Sequence, residues 1–584
     1  MSCRTHGLSS LIATLHCAPR RRVRGQLLYI IINVALLLIL AASSSDVNAA
    51  PIRVPDLSRC DLAVDESVGD TPPLTLRFNC CLPLPSASRI LDFSFDKYPP
   101  IRQHVRRPAH TAKEDYIAKY NKAYQLMRAL PDSDPRSLKV QADIHCAFCN
   151  GAYMQAGADG NVPLQVHFSW LFLPWHRWFL YFHERILGNL LGDPGFSLLY
   201  WNWDDQVNGG NMMPEMFARN GTALYDAKRN PDHLPPAIVR LSPANNSTDT
   251  SVVVNENLNA MYQSVVTAST AELFAGGAYR TGSDLTNSSV ISATLGGSVE
   301  NGVHNGIHYW TGNPAEQLLQ DMGTFSTASR DPIFYAHHSN VDRLWDVWRF
   351  KLPGGPRKDH SDPDFLDTEF LFYDENANLV KVKVSDALDN AKLGVSYKTV
   401  RADDLWINYS PKAVTSGSAV FSALASGVST IGATPSNGTI DLDLASMRLA
   451  AIVQRPIGET RPSKAEEVLV IQGLELTSRD SFISLVVFVN LPDAGPSTPT
   501  NSAEYVGTFN IVPSASQHRH LVTNVKFEIG DNLKRIGLQK DDRVVITIVL
   551  KSKPHETDSN LADAAHNLAI QQRISFKGLQ ITYE

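Results

Sequence analysis

Residues 331–343 read Asp331-Pro332-Ile333-Phe334-Tyr335-Ala336-His337-His338-Ser339-Asn340-Val341-Asp342-Arg343. Two adjacent histidines sit in an aromatic, helix-compatible run, and Asp342 follows His338 by four residues. At that spacing both share one helix face, so the carboxylate could orient the imidazole. Just upstream lies Glu300-Asn301-Gly302-Val303-His304-Asn305-Gly306-Ile307-His308-Tyr309-Trp310. His304 and His308 are again four apart and can grip one metal from one face. A second cluster holds His145-Cys146-Ala147-Phe148-Cys149, then His167, then Leu173-Pro174-Trp175-His176-Arg177-Trp178. His167 and His176 would oppose each other on a straight helix. Pro174 resolves this by placing His167 at the helix entry or across a kink.

Imidazole-only ligation suits copper, and zinc is also compatible. A catalytic zinc needs three ligands and a general-base carboxylate, whereas these windows supply histidines for two sites. A lone buried histidine is usually structural, but six in two aromatic-rich windows point to ligation. The neighbouring Trp170, Trp175, Trp178 and Phe179 read as core packing.

The rest of the chain sets bounds. Its 584 residues exceed one ordinary domain. A net charge of −6 without long charged runs gives no sign of nucleic-acid binding, and phosphate-cradling glycine motifs are missing. Residues 1–49 read as a targeting peptide: Arg20, Arg21, Arg22 and Arg24 precede the apolar run Leu27 to Ala42, and Val47-Asn48-Ala49 resembles a cleavage site. A retained signal anchor is the alternative. Sequons at Asn220, Asn245, Asn246, Asn287, Asn408 and Asn437 favour the secretory pathway, to vacuole or cell exterior. The paired arginines also fit a twin-arginine route into a chloroplast thylakoid lumen.

Cys3 and Cys17 would leave with that peptide. Cys60, Cys80, Cys81, Cys146 and Cys149 remain, an odd count that implies two disulfides and one cysteine with another fate. Zinc ligation by four of them is the weaker reading, because adjacent Cys80-Cys81 chelates poorly.

Helical periodicity runs from Ala112 to Leu130, ending before Pro131, and helices and loops continue to about Trp345. Residues Leu366 to Val384 alternate like a hairpin with its turn at Asp374 to Asn376. Residues 410–464, rich in Ser, Ala, Gly, Thr and Pro, read as a linker. Strands then recur at Glu467–Leu476, Phe482–Leu491, Tyr505–Val512, Thr523–Ile529, Arg543–Leu550 and Ile574–Tyr583. The expected chain is therefore multidomain: a mainly α-helical unit at 50–409 with a four-helix-bundle core, the linker at 410–464, and an all-β sandwich at 465–584.

The histidine clusters resemble the paired sites of type-3 dinuclear copper proteins, most closely the plant polyphenol oxidases (tyrosinases and catechol oxidases). Asn79-Cys80-Cys81-Leu82-Pro83, the run from Asp331 to Trp345, the segment Asp367 to Val384 and the β-rich tail carry the same likeness, which spans nearly the whole mature chain. The resemblance implies two copper ions, one on His145, His167 and His176, the other on His304, His308 and His338. The family's ligand lies four before the aspartate, so His337 becomes a neighbour of the metal site. His183, where the family usually has another residue, would lie at the surface. The resemblance also implies a Cys149–His167 thioether and disulfides Cys60–Cys81 and Cys80–Cys146.

The implied activity is oxidation of o-diphenols to o-quinones with O2, with some monophenol hydroxylation. A catechol oxidase without monophenolase activity, or an oxygen carrier of haemocyanin type, are the alternatives. Glu300 and Asn305 would hold the water that accepts a phenol proton, Phe325 would overhang one copper, and Tyr309 is a second selectivity position. The β-rich tail would shield the site in a latent pro-enzyme, activated by a protease acting within residues 410–464. Small phenols and O2 are then the partners. One departure is Val395-Ser396-Tyr397, where the family commonly has Tyr-x-Tyr.

Overall fold

The computed structural model describes residues 50–66, 75–84, 90–100, 104–242, 247–285, 296–431, 440–442, 446–456, 465–477, 482–513, 521–551 and 574–584. The expected targeting peptide at 1–49 lies outside them, as do the sequons at Asn245, Asn246, Asn287 and Asn437 and parts of the expected linker.

Helix α1 (Glu114–Arg128) begins just inside the predicted boundary. Helix α2 (Leu138–Cys149) is capped by Ser137, whose hydroxyl accepts from the Val140 N–H at 3.2 Å. Helix α3 (Phe172–Leu191) has Pro174 in its first turn, where a missing N–H costs nothing, and ends at Gly192 in the left-handed region at φ 67°. His167 therefore lies on the loop before the helix, and no kink is needed. A π-helical turn at Val299–His304 runs into α4 (Asn305–Thr311). Ahead of α5 (Ile333–Phe350), Asp331 accepts from the Ile333 N–H at 2.9 Å while Arg229 grips its carboxylate.

Helix α3 packs on both α1 and α5, burying Trp175, Trp178, Phe179, Trp345 and Trp348 in one core. That burial is the main stabilising term for this half of the chain. The predicted hairpin forms as Glu369–Tyr373 antiparallel to Leu379–Lys383.

Among the described residues, eight longer or well-paired strands form the C-terminal sandwich: β1 (Arg448–Gln454), β2 (Glu467–Leu476), β3 (Ile483–Val489), β4 (Tyr505–Ile511), β5 (Leu521–Glu528), β6 (Arg543–Leu550), β7 (Ile574–Phe576) and β8 (Gly578–Tyr583). One sheet runs β4-β3-β6-β1 and ends on the short strand Thr430–Ile431. The other centres on β2, flanked by β5, β7 and β8. The linker reading is corrected here, because β1 pairs with β6 along its full length. Its Ser- and Ala-rich surroundings masked seven residues whose apolar members fill the sandwich core. Val420 and Ala423, from a short helix in the same stretch, pack on Ile452 and Val545. From Ala50 to Glu584 the chain forms one compact unit, so the sandwich packs on the helical part instead of hanging from a free connection.

Candidate metal centre

The six implied histidines come from α2 (His145), the loop before α3 (His167), α3 (His176), the π turn (His304), α4 (His308) and α5 (His338). All are buried. His145, His167, His176 and Cys149 form one cluster, and His304, His308, His337 and His338 another, with ligand atoms within 4.8 Å of each other in each. The two clusters face each other: the His176 and His338 rings stack at 4.2 Å, and His167 lies 6.3 Å from His304.

The orientation of the rings comes largely from the main chain. His145 Nδ1 faces the Phe325 carbonyl at 3.0 Å, His176 Nδ1 faces that of Phe172 at 2.8 Å, and His308 Nδ1 faces that of Met322 at 2.6 Å. A carbonyl only accepts, so each Nδ1 carries the proton and each Nε2 keeps its lone pair. The Nε2 atoms of His145 and His176 have no hydrogen-bond partner among the described residues. Those of His304, His308 and His338 converge at 3.1–3.4 Å.

Burial pushes His145, His167, His304 and His338 far below the ordinary imidazole range, His176 to about 3 and His308 to about 4. Neutral imidazoles with inward lone pairs, and no other way to satisfy them, fit metal ions.

His337 differs from its neighbour. Its Nδ1 accepts from the Trp203 indole N–H at 3.1 Å, which places its proton on Nε2 and leaves no lone pair there for a metal. His183, expected at the surface, is fully buried: its ring stacks on Tyr335 at 3.6 Å and its Nε2 meets the Tyr124 hydroxyl at 3.0 Å. It lies on the apolar face of α3, one turn after Phe179, and that position takes it inward.

Asp342 does not meet His338. Its carboxylate accepts from Arg177 Nε at 2.5 Å, Arg106 Nη1 at 3.3 Å and the Tyr397 hydroxyl. Arg106 also pairs with Glu184, so the pairing network reaches from α5 to α3 and the strand His104–Pro108. Tyr397, the surviving tyrosine of the altered motif, closes this network, while Ser396 pairs in register with Val105.

Glu300 Oε1 accepts from the Phe168 N–H at 2.7 Å, and Oε2 has no partner among the described residues. Burial pushes its carboxyl well above the usual range, favouring the neutral acid. Asn305 donates Nδ2 to the Asn510 carbonyl at 2.7 Å. The Phe325 ring lies on His167 at 4.1 Å, and Tyr309 stacks on Phe482 of the sandwich region at 3.8 Å. Disulfides join Cys60 to Cys81 and Cys80 to Cys146, the pairing the resemblance implies. Sequence reasoning missed the backbone carbonyl anchors, Trp203 and Asn510. Carbonyls carry no side-chain signature, and the last two lie far from either histidine window.

Fold and donor set together define a type-3 dicopper protein, with two copper ions as its cofactor. Three family models agree, described as the common central domain of tyrosinase over residues 135–351, a polyphenol oxidase middle domain over 359–412, and a chloroplastic polyphenol oxidase C-terminal domain over 441–558. A polyphenol oxidase of Malus domestica is 40% identical over 523 residues, covering 86% of this chain and 83% of its own. Aureusidin synthase of Antirrhinum majus is 39% identical over 97% of this chain and 98% of its own. Among solved structures, latent apple tyrosinase superposes with a TM-score of 0.72 at 37% identity, covering 85% of this chain and all of that one.

The chain belongs to the plant polyphenol oxidase family and is an oxidoreductase. The apple relative and others from Vitis vinifera, Ipomoea batatas and Solanum lycopersicum are named chloroplastic. That overturns the secretory expectation and points to plastid targeting. The chloroplast alternative, read from the paired arginines before the apolar run, is the one these relatives favour.

Proposed function

We propose that this chain oxidises o-diphenols to o-quinones with O2, hydroxylates some monophenols, and is made as a latent pro-enzyme. The observation that carries the reading is the pair of facing, buried clusters of neutral imidazoles with Nε2 lone pairs turned inward. In this reading His145, His167 and His176 hold one copper, and His304, His308 and His338 the other. Bound copper supplies the redox couple that takes two electrons from the diphenol and passes them to O2.

The protein's residues do the rest. Carbonyls of Phe325, Phe172 and Met322 hold the imidazoles in one tautomer, so no proton must leave before metal binds. Cys149 reaches the His167 ring and would fix it through a thioether. Phe325, stacked on His167, narrows the space above that ring and steers a planar phenol. Glu300 lies in the π turn and Asn305 directly follows it, and their oxygens without a partner among the described residues would hold the water that takes a monophenol's proton. The sandwich covers this rim through Phe482 on Tyr309 and through the Thr324 hydroxyl, which donates to the Pro513 carbonyl at 3.0 Å. A processing protease cutting within residues 410–464 would start its release.

The test combines metal analysis with turnover. Copper-loaded wild type should hold two coppers per chain, His338→Ala one and His337→Ala two. After proteolytic trimming, quinone colour should develop with catechols, and more slowly with the matching monophenols. Well under two coppers in the wild type, or no quinone from trimmed enzyme, would overturn the reading.

A further inference from the structure

The sandwich touches Asn305 with unusual specificity. Among the described residues strand β4 lies at the edge of its sheet, paired with β3, and presents Asn510 to the π turn. Two hydrogen bonds run in opposite senses: Asn305 Nδ2 donates to the main-chain carbonyl of Asn510 at 2.7 Å, and Asn510 Nδ2 donates to the main-chain carbonyl of Gly302 at 2.9 Å. Both asparagines are fully buried, and neither Oδ1 has a partner among the described residues.

We infer that Asn510 is a specificity-determining positioning residue, whose side chain pins the turn at Gly302 so that the β4 main chain keeps hold of Asn305, which holds down monophenol hydroxylation in the intact chain. This rests on the reading of Asn305 as a water-holding residue. A carboxamide has one donor end and one acceptor end. With Nδ2 given to β4, the Asn305 carboxamide is fixed, and its Oδ1 cannot swing to follow the water that Glu300 must share. The Gly302 bond pins the backbone two residues before His304, so the tie restrains the turn as well as the side chain. A plain cover would hinder every phenol alike. A tie on Asn305 weighs most on the substrate that must first lose a proton, because an o-diphenol needs less help with deprotonation than a monophenol.

The experiment uses the full-length, copper-loaded chain without protease. Asn510→Asp replaces the Nδ2 donor by an oxygen facing the Gly302 carbonyl, and Asn510→Ala removes the Gly302 bond without repulsion; in both the main-chain carbonyl facing Asn305 stays, but the turn is no longer pinned against it. Initial rates are taken on p-cresol and 4-methylcatechol, with amide hydrogen exchange read over residues 299–308. Both variants should keep two coppers, speed exchange in that turn, and raise the monophenol-to-diphenol rate ratio roughly two- to tenfold, the span of one neutral hydrogen bond. Trimmed wild type and trimmed Asn510→Asp should have the same ratio. Faster exchange with an unchanged ratio, or equal gains on both substrates, would overturn the inference. If trimming the wild type changes neither rate, the latency reading fails separately, and the variants' ratio still decides this one.

Discussion

Replacing Asp342 by Asn separates two roles that its sequence position allows. The carboxylate is buried one turn beyond His338 and is shared by Arg106, Arg177 and Tyr397. A carboxamide is isosteric but neutral, and it turns an N–H toward one guanidinium. Arg106 keeps Glu184 and Arg177 keeps Asp346, so the charges are not wholly abandoned. Removing one partner from a buried ion pair still costs about 3–5 kcal/mol. Against a typical total stability of roughly 5–15 kcal/mol, that is a large share. Urea unfolding of the copper-free chain should therefore show a clearly lowered midpoint. Copper affinity, measured by competition with a chelator, should stay within about threefold, because no bond links Asp342 to His338. A fall in copper affinity of about ten- to a hundredfold with an unmoved midpoint, the signature of a carboxylate that orients a ligand, would refute this reasoning.

Glu528 provides a pH test. Burial, reinforced by Glu466 and Asp531, pushes its carboxyl up to about 8. The folded value lies above the unfolded one, so the folded state holds an extra proton between about pH 4.5 and 8, and stability falls as pH rises through that window. Glu528→Gln removes the dependence, and its stability relative to wild type should rise by about 3 kcal/mol between pH 5 and pH 7, at about 1.4 kcal/mol per pH unit. A difference that stays flat across that range would contradict the assignment. Peptide mapping of copper-loaded protein should recover Cys149 and His167 in one cross-linked species. Recovery of Cys149 as an alkylatable thiol would rule the thioether out.

The histidine windows were legible because ligand spacing follows helix geometry: His304 and His308 meet across a π turn much as they would on an α-helix. The sandwich strands from Glu467 onward were legible as short apolar runs separated by turns, and most prove buried on both faces. Strand β1 was not, because one short apolar run inside a Ser- and Ala-rich stretch looks local until β6, about 90 residues later, supplies its partner. His183 and Asp342 show the complementary limit. Spacing places a side chain on a face, but not what lies opposite that face, and here those partners are Tyr335 for one and two arginines for the other. Nor could sequence choose between His337 and His338 on physical grounds. The indole that decides it belongs to Trp203, 134 residues before His337.

Four of the six imidazoles face peptide carbonyls, which every residue possesses: His304 loosely, on Glu300 at 3.4 Å, and the other three at 2.6–3.0 Å. Phe172, Met322 and Phe325 can therefore drift in identity over evolutionary time without turning a ring, provided the loop path holds. Mutational scanning at those positions would understate their importance, whereas an insertion or deletion that shifts the loop by one peptide unit would misalign the ring it anchors. The exactness of this centre is stored in backbone trajectory, and alignments that score side chains alone will look for it in the wrong place.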